Sequence, residues 1–339
     1  MNRPSNGLRL CEAFYRTCVA PAMAAEFPRL RHAAGLMGRG SEVLGYDDEM
    51  STDHTWFARA IVFVPGEVLA EQGEPVQARL TERVPDLFEG VPTEVTVTSV
   101  RQYFLDLLGL DVSVPWDAYD WVSSPEHLLC AMTAGAVFHD DLDLEQVRLR
   151  LGYYPREVWL YLLLAGWWRV HPEVNLVGRA GYAGDDLGSR LMASEIVSGL
   201  MHLSFLIERR YAPYAKWFGT AFSELGIADR LAGPLDRALH ARSWEEREQA
   251  LGSGYGIVGD AFNDLSIVPR LALEPVRMWG RPFTVMWADF PEALGASIRD
   301  PQVRDLLERW PTGGIDRVAD ILWAPHVRSR VRELVEGRP

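Results

Sequence analysis

Apolar residues recur at helical spacing from about residue 7 to residue 33 and predict helix up to the glycine cluster "GLMGRGSEVLG". The period then changes to two. The runs "TWFARAIVFV" from residue 55 and "TEVTVTSV" from residue 93 predict strands, joined by a connection rich in Pro, Gly and Glu that reads as loop. From about residue 140 the pattern is helical almost throughout. Its clearest helix opens at "GDDLGSR", where Asp185 or Asp186 can cap the start, and runs through "LMASEIVSGLMHLSFLIERR" to a stop at Pro213. A further helix after Pro213 puts Lys216 in its first turn. These elements predict an α+β protein: a mixed sheet with flanking helices over residues 1–125, then a mainly helical domain over residues 126–339.

Composition narrows the function classes. A net charge of −13 and a pI near 5.1 exclude a nucleic-acid duplex as the main partner, because non-specific affinity for phosphates comes from basic surface. The run "WLYLLLAGWW" at 159–168 is half of the ~20 residues a membrane span needs and reads as a buried helix, so no membrane association is expected. The N-terminal stretch lacks the apolar core of a signal peptide. Together with three cysteines in no metal-ligand pattern, this predicts a cytoplasmic protein with reduced thiols. Cys11 and Cys18, seven apart, have core-face spacing. The tryptophans Trp167, Trp168, Trp279, Trp287 and Trp323 read as packing aromatics, since they lack the basic interleaving of a base-stacking platform.

Two stretches carry candidate chemistry. Of the 34 lysines and arginines, Lys216 is the one lysine, and it stands among Tyr211, Tyr214 and Trp217. A helix N-terminus attracts anions, so Lys216 could hold a phosphate beside free backbone amides, or serve as a nucleophile or base. A surface lysine with its stem on Trp217 is the alternative. The second stretch, "GRGSEVLGYDDEMSTDHTW" at 38–56, sets a Gly40-Ser41 pair ahead of Asp53 at the entrance to a strand. Further along, Asp186, Ser189 and Arg190 in "GDDLGSR", Arg179 in "GRAG", and Glu208 are candidates for a ligand pocket or for an ion-pair network joining helices, Asp186 with Arg190 and Glu208 with Arg179 or Arg190. Asp140 in "FHDDLD" reads as a helix cap.

The stretches "GSEVLGYDDEMSTDH", "FHD", "YYPREVWLY", "GRAGYAGDDLGSRL", "ERRYAPYAKWFGTAF" and "NDL" together resemble an uncharacterised bacterial family of nucleotidyltransferase-fold proteins, the domain of unknown function DUF4037, within the DNA polymerase beta-like superfamily. The resemblance implies a nucleotidyltransferase-like domain beside a helical substrate or partner domain, with a small molecule or nucleotide bound between them. It further implies Gly40 and Ser41 at the phosphates of a nucleoside triphosphate, Asp53 on Mg2+, Lys216 on a phosphate oxygen, and Glu208 or Asp186 as base. In the family pattern Asp-His-Asp stands where this chain has Asp53, His54 and Thr55, and an acidic residue falls at Thr96. A hydroxyl is a poor ligand for a divalent cation, so the metal site is expected to be degenerate. The readings this leaves are nucleotide transfer at an impaired site, a repurposed metal-independent enzyme of specialised metabolism, or a pseudoenzyme that senses a nucleotide or metabolite.

Overall fold

Ala33–Leu36 forms the first strand, β1, with all four residues buried. A strand covered on both faces shows no alternation, and these small residues merge in the sequence with the glycine cluster that follows. The computed structural model describes residues 7–52, 56–171, 174–317, 332–333 and 335–336. The chain divides into two compact units. The first comprises the described residues of 7–116 and 127–152, and the second those of 117–126, 153–317 and 332–336. The first unit therefore continues past the break expected near residue 125, because a later strand returns to its sheet.

In the first unit α1 (Gly7–Phe14) passes through a π-turn at Tyr15–Val19 into α2 (Ala20–Glu26). After β1 come α3 (Ser41–Leu44), β2 (Ala58–Phe63), α4 (Gly66–Arg83), β3 (Leu87–Phe88), β4 (Val91–Thr98) and α5 (Val100–Leu108). The chain then passes through α6 (Ala118–Val122) and α7 (Glu126–Thr133) before β5 (Ala136–Asp140) and α8 (Leu144–Arg150). The sheet order is β3-β4-β2-β1-β5, with β2 and β4 parallel and the other pairs antiparallel. Parallel neighbours need a crossover, and that crossover is α4. The connection that reads as loop is thus an 18-residue helix that tolerates Pro75 in its interior. Val76 and Leu80, one turn apart, bury its inner face, and the Gln77 side chain ties it to β4, donating to the Val95 carbonyl and accepting from the Val97 amide, both at 2.7 Å. Along β2, Ala58, Ala60 and Val62 join this core with Phe14, Val19 and Met23, while Arg59 and Ile61 take the opposite face. Cys11 is fully buried, as its spacing predicts, and burial pushes its thiol up to about 11.

The second unit is mainly helical. It holds α9 (Arg156–Val170), α10 (Val174–Tyr182), α11 (Asp186–Ile207), α12 (Ala215–Phe222), α13 (Ala228–His240), α14 (Trp244–Asp264), α15 (Phe290–Ser297) and α16 (Pro301–Arg309). An antiparallel hairpin, β6 (Glu274–Arg277) with β7 (Thr284–Trp287), interrupts the helical half. Helix α9 is apolar on nearly every side because it is packed on nearly every side, and Trp167 meets Tyr255, Phe262 and Phe290. Two tryptophans expected to pack do not: Trp168 is 47% exposed and Trp279 71%. Trp323 lies outside the described residues. Asp185 caps α11, accepting from the Gly188 amide at 2.8 Å. That helix ends at Ile207, before Pro213, where Arg209 turns left-handed at φ 53°. Among the described residues, α11 is the helix long and apolar enough to cross a membrane, and more than half of it is packed inside the protein.

Candidate functional site

The exposed face of the first unit's sheet holds a cleft of about 300 Å³. Parallel pairing sets Arg59 opposite Glu94 and Ile61 opposite Thr96, so all four side chains reach the cleft, with Arg39 above β1 and Tyr103 of α5 as a wall. The turn after β1 brings Arg39 there. Gly38 and Gly40 take φ of +88° and +129°, and a Cβ on Gly40 would stand 2.5 Å from the Glu42 carboxylate, so the turn requires glycine. Ser41 then opens α3, and its hydroxyl bonds that of Ser51 at 3.1 Å, fixing the returning loop.

Glu42 is buried and forms an ion pair with Arg59, which also donates to the Arg39 carbonyl at 2.7 Å. This arrangement neutralises Glu42 and holds Arg59 in one place. The Tyr103 hydroxyl donates to the Met37 carbonyl at 2.7 Å. Burial pushes that phenol above the ordinary tyrosine range, against the pull of Arg59 and Arg39, so it stays protonated. On the described lining, Glu94 is the one carboxylate against two guanidinium groups. It sits about 6–7 Å along β4 from Thr96, too far to take over that position. Asp53, His54 and Thr55 lie outside the described residues.

The candidates on the helical unit are scattered over several places. Asp186 pairs with Arg190 at 2.7 Å and with Arg247 of α14; Arg247 is 0% exposed and also donates to the Ser189 hydroxyl at 2.5 Å. The hydrogen bonds from Arg247 and Arg190 hold the Asp186 carboxyl below its usual range, which makes it a weak base. Glu208 does not pair with Arg179 or Arg190. Its carboxylate accepts from the Gly226 and Ile227 amides at 3.0 and 2.8 Å, at the start of α13, while Arg179 is exposed on α10. Tyr211 packs against Tyr153 and Tyr154, and Tyr214 occupies the N-cap of α12. Lys216 is exposed in the first turn of α12 with Nζ 4.6 Å from the centre of the Trp217 ring. Asp140 accepts from the Leu144 and Glu145 amides, both at 2.9 Å, as a cap for α8.

Sequence reasoning did not find Arg59, Glu42 or Arg247. It also missed a second cavity, of about 350 Å³, lined within the helical unit by Glu126, Tyr154, Arg169, His202 and Asp316. Its one signal in the sequence is a polar residue breaking an apolar helix, Arg169 near the end of α9 and His202 within α11.

Residues 121–218 match the model of DUF4037, a domain of unknown function, which bears out the resemblance over that segment. Among solved structures the chain is similar to a nucleotidyltransferase-like protein from Exiguobacterium sibiricum 255-15. The identity is 13% over 77% of this chain and 82% of that one, with a TM-score of 0.32. None of the curated proteins matches the chain.

Proposed function

We propose that the protein is nucleotidyltransferase-like in the sense that its first unit binds the phosphates of a nucleotide or phosphorylated small molecule on the open face of the sheet, without a pair of metal ions. The observation that carries this reading is the lining of the cleft: Arg39, and Arg59 with its charge matched by Glu42, face a single lining carboxylate, Glu94, with Thr96 beside it on β4. Two-metal transfer needs several anionic oxygens converging on ions about 4 Å apart. Among the described residues of the cleft Glu94 and Thr96 do not supply them, Asp53 lying outside those residues, whereas the Arg39 guanidinium suits phosphate oxygens.

Calorimetry with ATP, in EDTA and in excess Mg2+, tests the reading. Saturable binding in EDTA is expected, competed by pyrophosphate and weakened about tenfold by Arg39→Ala, the worth of one charge-assisted hydrogen bond. Failure of every nucleoside triphosphate to bind, or binding that requires two Mg2+ ions, would overturn it. Metal-dependent binding would instead support conventional transfer.

A further inference from the structure

At the other end of β1 from the cleft, three metal-ligating side chains converge. His32 directly precedes β1, His139 lies at the end of β5 and Asp141 directly follows it, held in register by the Asp141 amide donating to the His32 carbonyl at 3.0 Å. The two imidazole rings stack with centroids 4.3 Å apart, and His139 Nε2 lies 3.0 Å from an Asp141 carboxylate oxygen. One ligand atom from each residue falls within 4.8 Å of the others. Three ligands on a tetrahedral ion with bonds of about 2.0–2.1 Å stand ~3.3 Å apart, so side-chain rotation of about an ångström closes the set.

We propose that His32, His139 and Asp141 bind a divalent transition metal of the zinc class, with a fourth position open to water. Two imidazoles and one carboxylate suit zinc, cobalt or nickel and are a poor set for Mg2+ or Ca2+, which require oxygen ligands. One outer partner, the Leu30 backbone, is in place. Tyr15, at the start of the π-turn, sets its hydroxyl 3.0 Å from His32 Nε2, and His32 also bonds the Leu30 backbone. With Nδ1–H donating to Leu30, the lone pair is at Nε2, where it accepts the Tyr15 hydroxyl, so an ion ligates His32 by displacing that hydroxyl. Asp140 does not belong to the set, since its carboxylate is committed to the start of α8. His139 and Asp141 are 37% and 46% exposed, which leaves a path for the ion. Arg31 is the nearby cation, and it donates to the Asp141 carbonyl rather than to the carboxylate. An ion here would fasten the end of β5 to the start of β1.

The test is titration of the full chain, stripped with EDTA, with Zn2+ by calorimetry and with Co2+ by visible absorption. One equivalent is expected, with a cobalt spectrum of nitrogen and oxygen ligation that lacks a thiolate charge-transfer band. His139→Ala and Asp141→Asn should each weaken binding by more than the ~10–100-fold of an outer-partner change, whereas Tyr15→Phe, which frees the His32 Nε2 lone pair, should bind at least as tightly as the wild type. Asp141→Asn is half-exposed and isosteric, so it remains informative if a histidine variant fails to fold. The absence of saturable binding, the same affinity in the wild type and both ligand variants, or a thiolate band in the cobalt spectrum would each overturn the proposal.

Discussion

Acidification should unfold the second unit through His171, which is buried at the end of α9 with its ring 3.9 Å from that of Trp287. Its Nε2 is buried without a hydrogen-bond partner, so protonation would bury an unsatisfied N–H together with a charge. Burial lowers the histidine from 6.5 to about 4, against a smaller opposing pull from Asp289. Because the value is depressed in the folded state, the unfolded chain binds more protons between the two values, and stability falls as pH falls. The contribution is fully present above about pH 6.5, declines below it, and is lost by about pH 4. At about 1.4 kcal/mol for each pH unit in that window, the loss reaches ~3 kcal/mol, a large part of the stability of an ordinary domain. Urea denaturation from pH 7.5 to 4.5, wild type beside His171→Gln, isolates this group from the carboxylates that titrate in both. The difference between the two proteins should widen in favour of the variant as pH falls. Parallel curves, or an imidazole NMR titration of His171 with its midpoint near 6.5, would refute the reasoning.

Two further outcomes follow from the helical unit. Asp186→Ala takes an ion-pair partner from the buried Arg247, leaving its Ser189 bond, and should destabilise the fold; Arg247→Met should cost less, since it removes the buried charge itself, and chemical denaturation of both variants checks the order. Lys216→Arg should leave stability within about 0.5 kcal/mol, because arginine keeps a cation over Trp217, whereas Lys216→Met should lose up to about 1 kcal/mol; a larger effect of Lys216→Arg on ATP binding than on stability would point to a ligand role for the lysine.

The parts of the fold that sequence predicts are those with a free face. β2 and β4 alternate because one side packs and the other borders the cleft, and α11 announces itself through Asp185. β1 and α4 stay hidden for opposite reasons. Burial on both faces removes the alternation from β1, and Gly66, Gly73 and Pro75 give α4 the composition of a loop although Val76, Leu80 and Gln77 anchor it. The turn beside the cleft is legible at Gly40, whose φ of +129° demands glycine. The cleft is not legible at Arg59, a polar position in an alternating strand that reads as a solvent face until Glu42 is seen beneath it. Arg247 is concealed in "SWEEREQ", a charged run that reads as surface, because only the fold reveals that one of its members points inward to Ser189. Lys216 is the reverse case: rarity marks it in the sequence, and its position over Trp217 is an ordinary one for an exposed cation.

The place of β5 in the sheet has a consequence for synthesis. It pairs with β1 across about a hundred residues of intervening chain. At ~5–20 residues per second, β5 is made on the order of 5–20 s after its partner. During that interval the nascent chain can already assemble β1 through β4, yet the outer side of β1 has no companion. Bare strand margins recruit other chains, and long flat ones do so most readily. Here the margin is only four residues, Ala33–Leu36, too few unpaired amides to hold a stray strand through the wait.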